Sequence, residues 1–105
     1  MVLSALESDA LSLLRARVRA RFGERLVEVT LFGSRARGEG HAESDLDVLV
    51  LVRDLSRVER LAVLDDAWDI ERQTGLAVSP LVRDEAAWQS RGALAETIAA
   101  EGIRL

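Results

Sequence analysis

Two aspartates, Asp45 and Asp47, flank one leucine at the head of the apolar run DLDVLVLV, and Gly33-Ser34 closes the apolar run before it. Along a β-strand residues i and i+2 face the same side, so the two carboxylates project together with their Cα atoms about 6 to 7 Å apart. Like charges at that spacing repel, and burying them without compensation raises a pKa or lowers stability. A divalent cation removes the conflict. Mg²⁺ takes a few protein carboxylates and fills its octahedron with water and phosphate oxygens, the arrangement that phosphoryl and nucleotidyl transfer require. Asp45 and Asp47 are thus candidate ligands of Mg²⁺ or Mn²⁺ and, through it, the candidate catalytic pair.

Gly33 and Ser34 supply the complementary half. A glycine after a strand lets the backbone turn tightly against a ligand, and the amides that follow can cradle phosphate. Ser34 adds a hydroxyl, while Arg35 and Arg37 add charge for a polyphosphate tail. His41, the single histidine, lies among Gly and Glu in the same loop and reads as solvated. Ser44 reads as the cap of the turn ahead of Asp45. An isolated Asp-x-Asp is ordinarily a solvated strand end; the Gly-Ser upstream is what makes this one a candidate site.

These residues need a scaffold that brings the end of one strand beside the start of the next. Leu11, Leu14, Val18 and Phe22 recur at helical spacing over residues 8–22, with Gly23 as a stop. Residues 25–32, rich in Val, Leu and Phe, predict a first strand, and residues 45–52 a second. Helical periodicity returns through Val58, Leu61, Leu64, Ala67 and Trp68 and is closed by Gly75. Residues 76–82 predict a third strand, placed at an edge because Pro80 cannot donate to a ladder. Asp84 reads as the N-cap of a short helix through Trp88, and Leu94 with Ile98 marks a last helix before a tail holding Ile103 and Leu105. For Ser34 and Asp45 to share one ligand the first two strands must run antiparallel. The third, reached through a long helix, then runs parallel to the second. The expectation is an α/β (α+β) fold, a small three-stranded mixed sheet flanked by helices, forming one domain over residues 1–105.

Composition narrows the setting. The 105 residues are 49% hydrophobic and 30% charged, a globular rather than a disordered balance. The longest apolar run, residues 48–52, is far short of the roughly 20 residues that cross a bilayer. The N-terminus has mixed charge rather than a basic stretch before an apolar one, so the reading is a soluble cytoplasmic protein without a membrane partner. The absence of cysteine excludes disulfides and thiolate metal sites and suits a reducing compartment. A net charge of -4 argues against broad binding to nucleic-acid backbones. Every permanent cation is Arg, and Arg15, Arg17, Arg19 and Arg21 spread around the first helix instead of forming a basic stripe. Trp68 and Trp88 read as packing residues or as anchors for a partner helix.

The order of Gly33-Ser34, an arginine loop, Ser44, Asp45-x-Asp47 and an apolar strand resembles the signature of the nucleotidyltransferase superfamily that includes DNA polymerase β. In detail, GSRARGEGHAESDLDVLV is similar to the minimal nucleotidyltransferases, small antitoxin-like proteins encoded beside helical HEPN partners. The likeness covers nearly the whole chain, down to the tail IAAEGIRL. It implies a nucleotidyltransferase fold, Mg²⁺, a nucleoside triphosphate and, in some members, transfer of AMP to a tyrosine of the HEPN toxin. It also implies that Gly33 and Ser34 hold phosphate and that Asp45 and Asp47 bind metal, with Ser44 beside that pair.

Two functions follow as expectations. One is Mg²⁺-dependent transfer of a nucleoside monophosphate, AMP from ATP, to a hydroxyl of a HEPN-type protein, as the antitoxin of a toxin–antitoxin pair. The other is an antitoxin that acts by direct contact with that partner and keeps a weak or silent site. A small-molecule acceptor suits the chain less, since a second domain to enclose one is lacking. A third carboxylate separates the two. Families of this type usually place it on the strand after the connecting helix, and here that strand reads LAVSPLV, with Ser79 at or near the position and no acid. Asp84 and Glu85 follow, and would have to reach back.

Overall fold

The computed structural model describes residues 3–39, 45–88 and 92–105. Helix α1, Ala5–Phe22, begins at a capping box, in which the Glu7 amide donates to Ser4 Oγ (3.1 Å) and the Ser4 amide donates to Glu7 Oε1 (2.8 Å). The helix therefore starts ahead of residue 8, on a Ser-x-x-Glu signal rather than on the apolar periodicity. Its inward residues Ala10, Leu11, Leu14, Val18 and Phe22 are buried. A short 3-10 turn over Gly23–Arg25 then leads into strand β1, Leu26–Phe32.

Strand β1 pairs antiparallel with β2, Leu46–Val52, in a register that sets Phe32 opposite Asp47 and Leu31 opposite Val48. Helix α2, Arg57–Thr74, has its own capping box from Ser56 and Glu59 and is closed by Gly75 in the left-handed region, at φ +76°. Strand β3, Val78–Asp84, runs parallel to β2 with Ser79 beside Asp47. It is an edge strand, as Pro80 requires. It lies two residues further along than the expected 76–82, because each residue of β2 takes one partner and the run from Leu46 to Val52 reaches Asp84.

Asp84 consequently ends a strand instead of capping a helix. Its carbonyl accepts the Ala87 and Trp88 amides in a turn, and its carboxylate accepts the amides of Leu55 (3.0 Å) and Ala87 (3.3 Å). The side chain satisfies free amides as a cap does, yet residues 85–87 form a turn and wind no helix. Helix α3, Ala93–Glu101, follows, and the tail adds a strand that the sequence pattern does not announce. This β4, Ile103–Arg104, pairs antiparallel with β1, so the mixed sheet has four strands in the order β3-β2-β1-β4 rather than three. Two residues are too few to show alternation. Their pairing rests on contacts that only the fold creates, the Leu105 amide on the Val29 carbonyl (2.8 Å) and Arg104 on Glu28 (3.0 Å).

The alternation of β2 divides the interior. Leu46, Val48, Val50 and Val52 join Val29 and Leu31 against Leu11, Leu14 and Val18 of α1 and Val63 and Ile70 of α2. On the other face Leu49 and Leu51 meet Ile98 of α3, with Phe32, Leu81 and Trp88 around them. Trp88 is thus a packing residue, whereas Trp68 is 62% exposed. No helix among the described residues is long and apolar enough to cross a membrane.

Two of the four alternating arginines of α1 turn out to fasten α2. Arg21 donates through Nη2 to both oxygens of Asp66 (3.1 and 2.9 Å), and Arg17 pairs with Asp66 (3.5 Å) and with Asp69. Asp66 is only 8% exposed. Asp66→Ala leaves the Arg21 guanidinium without its partner at a helix seam, while Arg17 keeps Asp69, and should lower the unfolding free energy by about 2 to 3 kcal/mol. A denaturant midpoint that falls at constant m-value checks this. Asp69→Ala, at a more exposed pair, should lower the midpoint less.

Candidate functional site

The end of β1 lies beside the head of β2, so the turn after Phe32 meets Asp47. Gly33 sits at φ +80°, and a Cβ on it would lie 2.5 Å from Asp47 Oδ2. Both the backbone conformation and the close approach call for glycine. Residues 34–38 then form a compact turn, with the Arg37 amide donating to the Gly33 carbonyl (3.3 Å) and the Glu39 amide to the Ser34 carbonyl (2.9 Å). Ala36 is buried in the main core and anchors the turn. The amides of Ser34 to Ala36 donate to no main-chain carbonyl among the described residues, which leaves them available to an anion.

Arg35 points away from the aspartates. Its Nε and Nη2 donate to the two oxygens of Glu7 (2.8 and 2.9 Å), and its Nη1 donates to the Glu39 carbonyl (3.2 Å). The Glu7 carboxyl is held at about 2, chiefly by the Arg35 hydrogen bonds and next by the Ser4 amide. A phosphate contact by Arg35 would have to compete with Glu7, since its guanidinium fork is bonded to the first turn of α1. Glu7 is the residue that sequence reasoning missed, and its capping-box position was the available signal. Arg37 is different. It is partly exposed and meets Glu39 and Glu101 only at 3.3 and 3.5 Å, contacts that hold a side chain weakly. Its charge remains free to swing toward a ligand.

The carboxylate pair spans the rim from the turn to β3. Asp47 is pushed above the usual aspartate value, first by burial and second by the charge of Asp45. Asp45, one position ahead of β2 and exposed, accepts a hydrogen bond from Ser79 Oγ (3.1 Å). Ser79 thus lies against both aspartates, through this bond and as the register neighbour of Asp47. Asp84 and Glu85 cannot replace a third acid there. Asp84 lies opposite Val52 at the far end of β3, roughly 16 Å along the strand from Ser79, and Glu85 pairs with Arg53 (3.6 Å). Among the described residues no three His, Cys, Asp or Glu side chains gather in one place. Ser44 and His41 lie outside the described residues.

The two remaining carboxylates fit a hard divalent cation: they offer oxygen donors only, they destabilise each other, and Asp45 is open to solvent. A cleft of about 380 Å³ opens beside them, with Asp45 and Ser79 at one end and Leu64, Trp68, Val78 and Pro80 on its walls.

The comparisons agree with this geometry. Residues 11–100 match the family model of the nucleotidyltransferase domain. A "putative protein adenylyltransferase" of Methanocaldococcus jannaschii is 37% identical over 65 residues, 59% of this chain and 44% of the relative, so the chain spans less than half of that protein. A solved "putative minimal nucleotidyltransferase" superposes with a TM-score of 0.56 at 32% identity, covering 90% of this chain and 95% of the other. A mutant of the toxin–antitoxin MntA–HpeT reaches 0.61 at 25% identity, covering 99% and 72%. A complex of a tri-AMPylated Shewanella oneidensis HEPN toxin with an MNT antitoxin shares the fold, with a TM-score of 0.51 at 18% identity, covering 90% and 70%.

Two stability measurements test the electrostatics. Because the folded pKa of Glu7 is depressed, its contribution is fully present above its ordinary value near 4.5 and is lost as pH falls toward about 2. The stability gap between the parent and Glu7→Gln should therefore be constant from pH 7 to about 5 and shrink below that, as read by denaturant melts. Asp47 has the opposite sign. Its raised pKa means that its charge opposes folding at neutral pH, and that the cost vanishes as pH falls through the pKa. Asp47→Asn should raise the Tm of the metal-free protein at pH 7, and thermal melts in chelator should show the gap closing in acid. A Tm that drops at pH 7 contradicts the repulsion.

Proposed function

Because the chain belongs to the nucleotidyltransferase domain family, we propose that it transfers a nucleoside monophosphate, AMP from ATP, to a hydroxyl of a helical HEPN-type protein. The observation that carries this reading is the contact of Gly33 with Asp47, which sets a turn suited to phosphates directly against a carboxylate pair suited to a metal. The adenylyltransferase relative and the AMPylated HEPN complex support the choice of nucleotide and acceptor class.

In this reading the amides after Gly33 and the Ser34 hydroxyl receive the polyphosphate, and Arg37 adds charge from the loop side. Arg35 acts one step back, holding the turn through Glu7. Asp45 and Asp47 would hold Mg²⁺ or Mn²⁺, whose chemistry is to offset charge on the transferring phosphate. The acceptor oxygen forms a bond to the α-phosphorus as the bond from that phosphorus to the pyrophosphate oxygen breaks, and the acceptor proton passes to solvent. Ser79 orients Asp45 by its hydrogen bond but is a poor base at neutral pH. Losing a positioned base costs on the order of 10² to 10⁴ in rate, so transfer is slow.

The serine is also the observation that favours the second reading, an antitoxin acting by contact alone. Intact-mass measurement of the HEPN partner after incubation with ATP and Mg²⁺ separates them. Transfer predicts a mass gain of one or more AMP groups, and a single-turnover rate that rises roughly 10- to 100-fold in Ser79→Asp. An unchanged partner mass despite stable co-purification selects contact alone.

A further inference from the structure

The rim of the sheet reads in one direction. The Gly33 turn comes first, then Asp47 against Gly33, then Asp45 bonded to Ser79, then the cleft between α2 and β3. With phosphates on the turn, the pyrophosphate side of the nucleotide is fixed at the first end. In-line displacement puts the attacking oxygen on the side opposite the leaving group, which here is the side of the cleft. Resting on the transferase reading above, we propose that this cleft is where the acceptor protein docks, and that it takes an amphipathic helix carrying a basic residue opposite Glu71.

The walls select that occupant. Leu64, Trp68 and Glu71 line the cleft from one face of α2, and Leu61, three residues before Leu64, continues that face outside the cleft. Leu61 is 51% exposed and Trp68 62%. An exposed tryptophan beside small and aliphatic walls is the kind of residue on which binding energy concentrates. An added strand is disfavoured, because Pro80 stands within the open edge of β3 and offers no amide to a ladder. A groove between a helix and a strand instead accepts the apolar face of a helix. Glu71 sets the charge. It is half-buried in the cleft and forms no ion pair among the described residues. Covering an unpaired carboxylate with apolar surface is costly, so a docking partner must bring its own cation.

Calorimetric titrations of the HEPN-type partner, and separately of ATP with Mg²⁺, into the parent, Trp68→Ala and Glu71→Arg test this. Both side chains project from the helix surface, and unchanged melting curves confirm that the variants fold. The expected result is a loss of about tenfold or more in partner affinity in each variant, with nucleotide affinity kept. Partner affinity unchanged in both overturns the docking site and leaves the transferase reading standing. Nucleotide affinity lost in Trp68→Ala overturns it differently, by giving the cleft to the nucleotide. A parent that binds no HEPN-type partner overturns the protein-acceptor reading, and the docking site with it.

Discussion

The pairing register between β1 and β2 governs everything that is functional in this chain. With Phe32 opposite Asp47, the Asp47 side chain lies on the sheet face away from the helix-packed core and the turn at Gly33 falls against it. Side chains alternate with a period of two, so a slip of one residue would turn Asp47 into the helix-facing core. What forbids the slip is burial: Leu46, Val48, Val50 and Val52 are all within 1% of complete enclosure on that face, and each such side chain is worth about 1.5 to 3 kcal/mol. The site is therefore positioned by the core rather than by its own interactions. Its own interactions oppose folding, since Asp47 is desolvated and repelled by Asp45.

A second restraint arrives from the other side of the turn. Glu7 caps α1 with one set of hydrogen bonds and holds Arg35 with another. The start of the first helix and the turn after Gly33 thus share one carboxylate, although they are far apart in sequence. A turn braced in this way has its amides set before any ligand arrives, which removes part of the ordering cost of binding. The arginine nearest the glycine serves as the brace, while Arg37, two residues further along the turn, makes only longer contacts with Glu39 and Glu101.

The family and the mixed α/β sheet were legible because their signals are local: the Gly-Ser and Asp-x-Asp motif, apolar helices closed by glycine, apolar strands, and a proline that marks an edge. The antiparallel and parallel pairings followed from asking which strand ends must meet. The placement of Ser79 near the aspartates came from the family resemblance, and the pairing of β3 with β2 brings them side by side. What escaped was set by partners distant in the chain. Arg35 looks like a phosphate ligand until Glu7 is seen beside it, and Arg17 and Arg21 look like solvated charges until α2 packs against them. Strand β4 is too short to carry a pattern, and Asp84 behaves as a cap without a helix because the pairing of β3 with β2 extends to its position.

In the proposed site Asp45 and Asp47 are a repelling pair that a divalent cation and a nucleotide would complete together. Calorimetric titration of ATP into the chain with Mg²⁺ present, and again with Mg²⁺ removed by chelator, tests it most directly. Binding heat that requires Mg²⁺ and disappears in the Asp45→Asn, Asp47→Asn double variant is the predicted result. Equal heat with and without the cation, or full binding by the double variant, would contradict it.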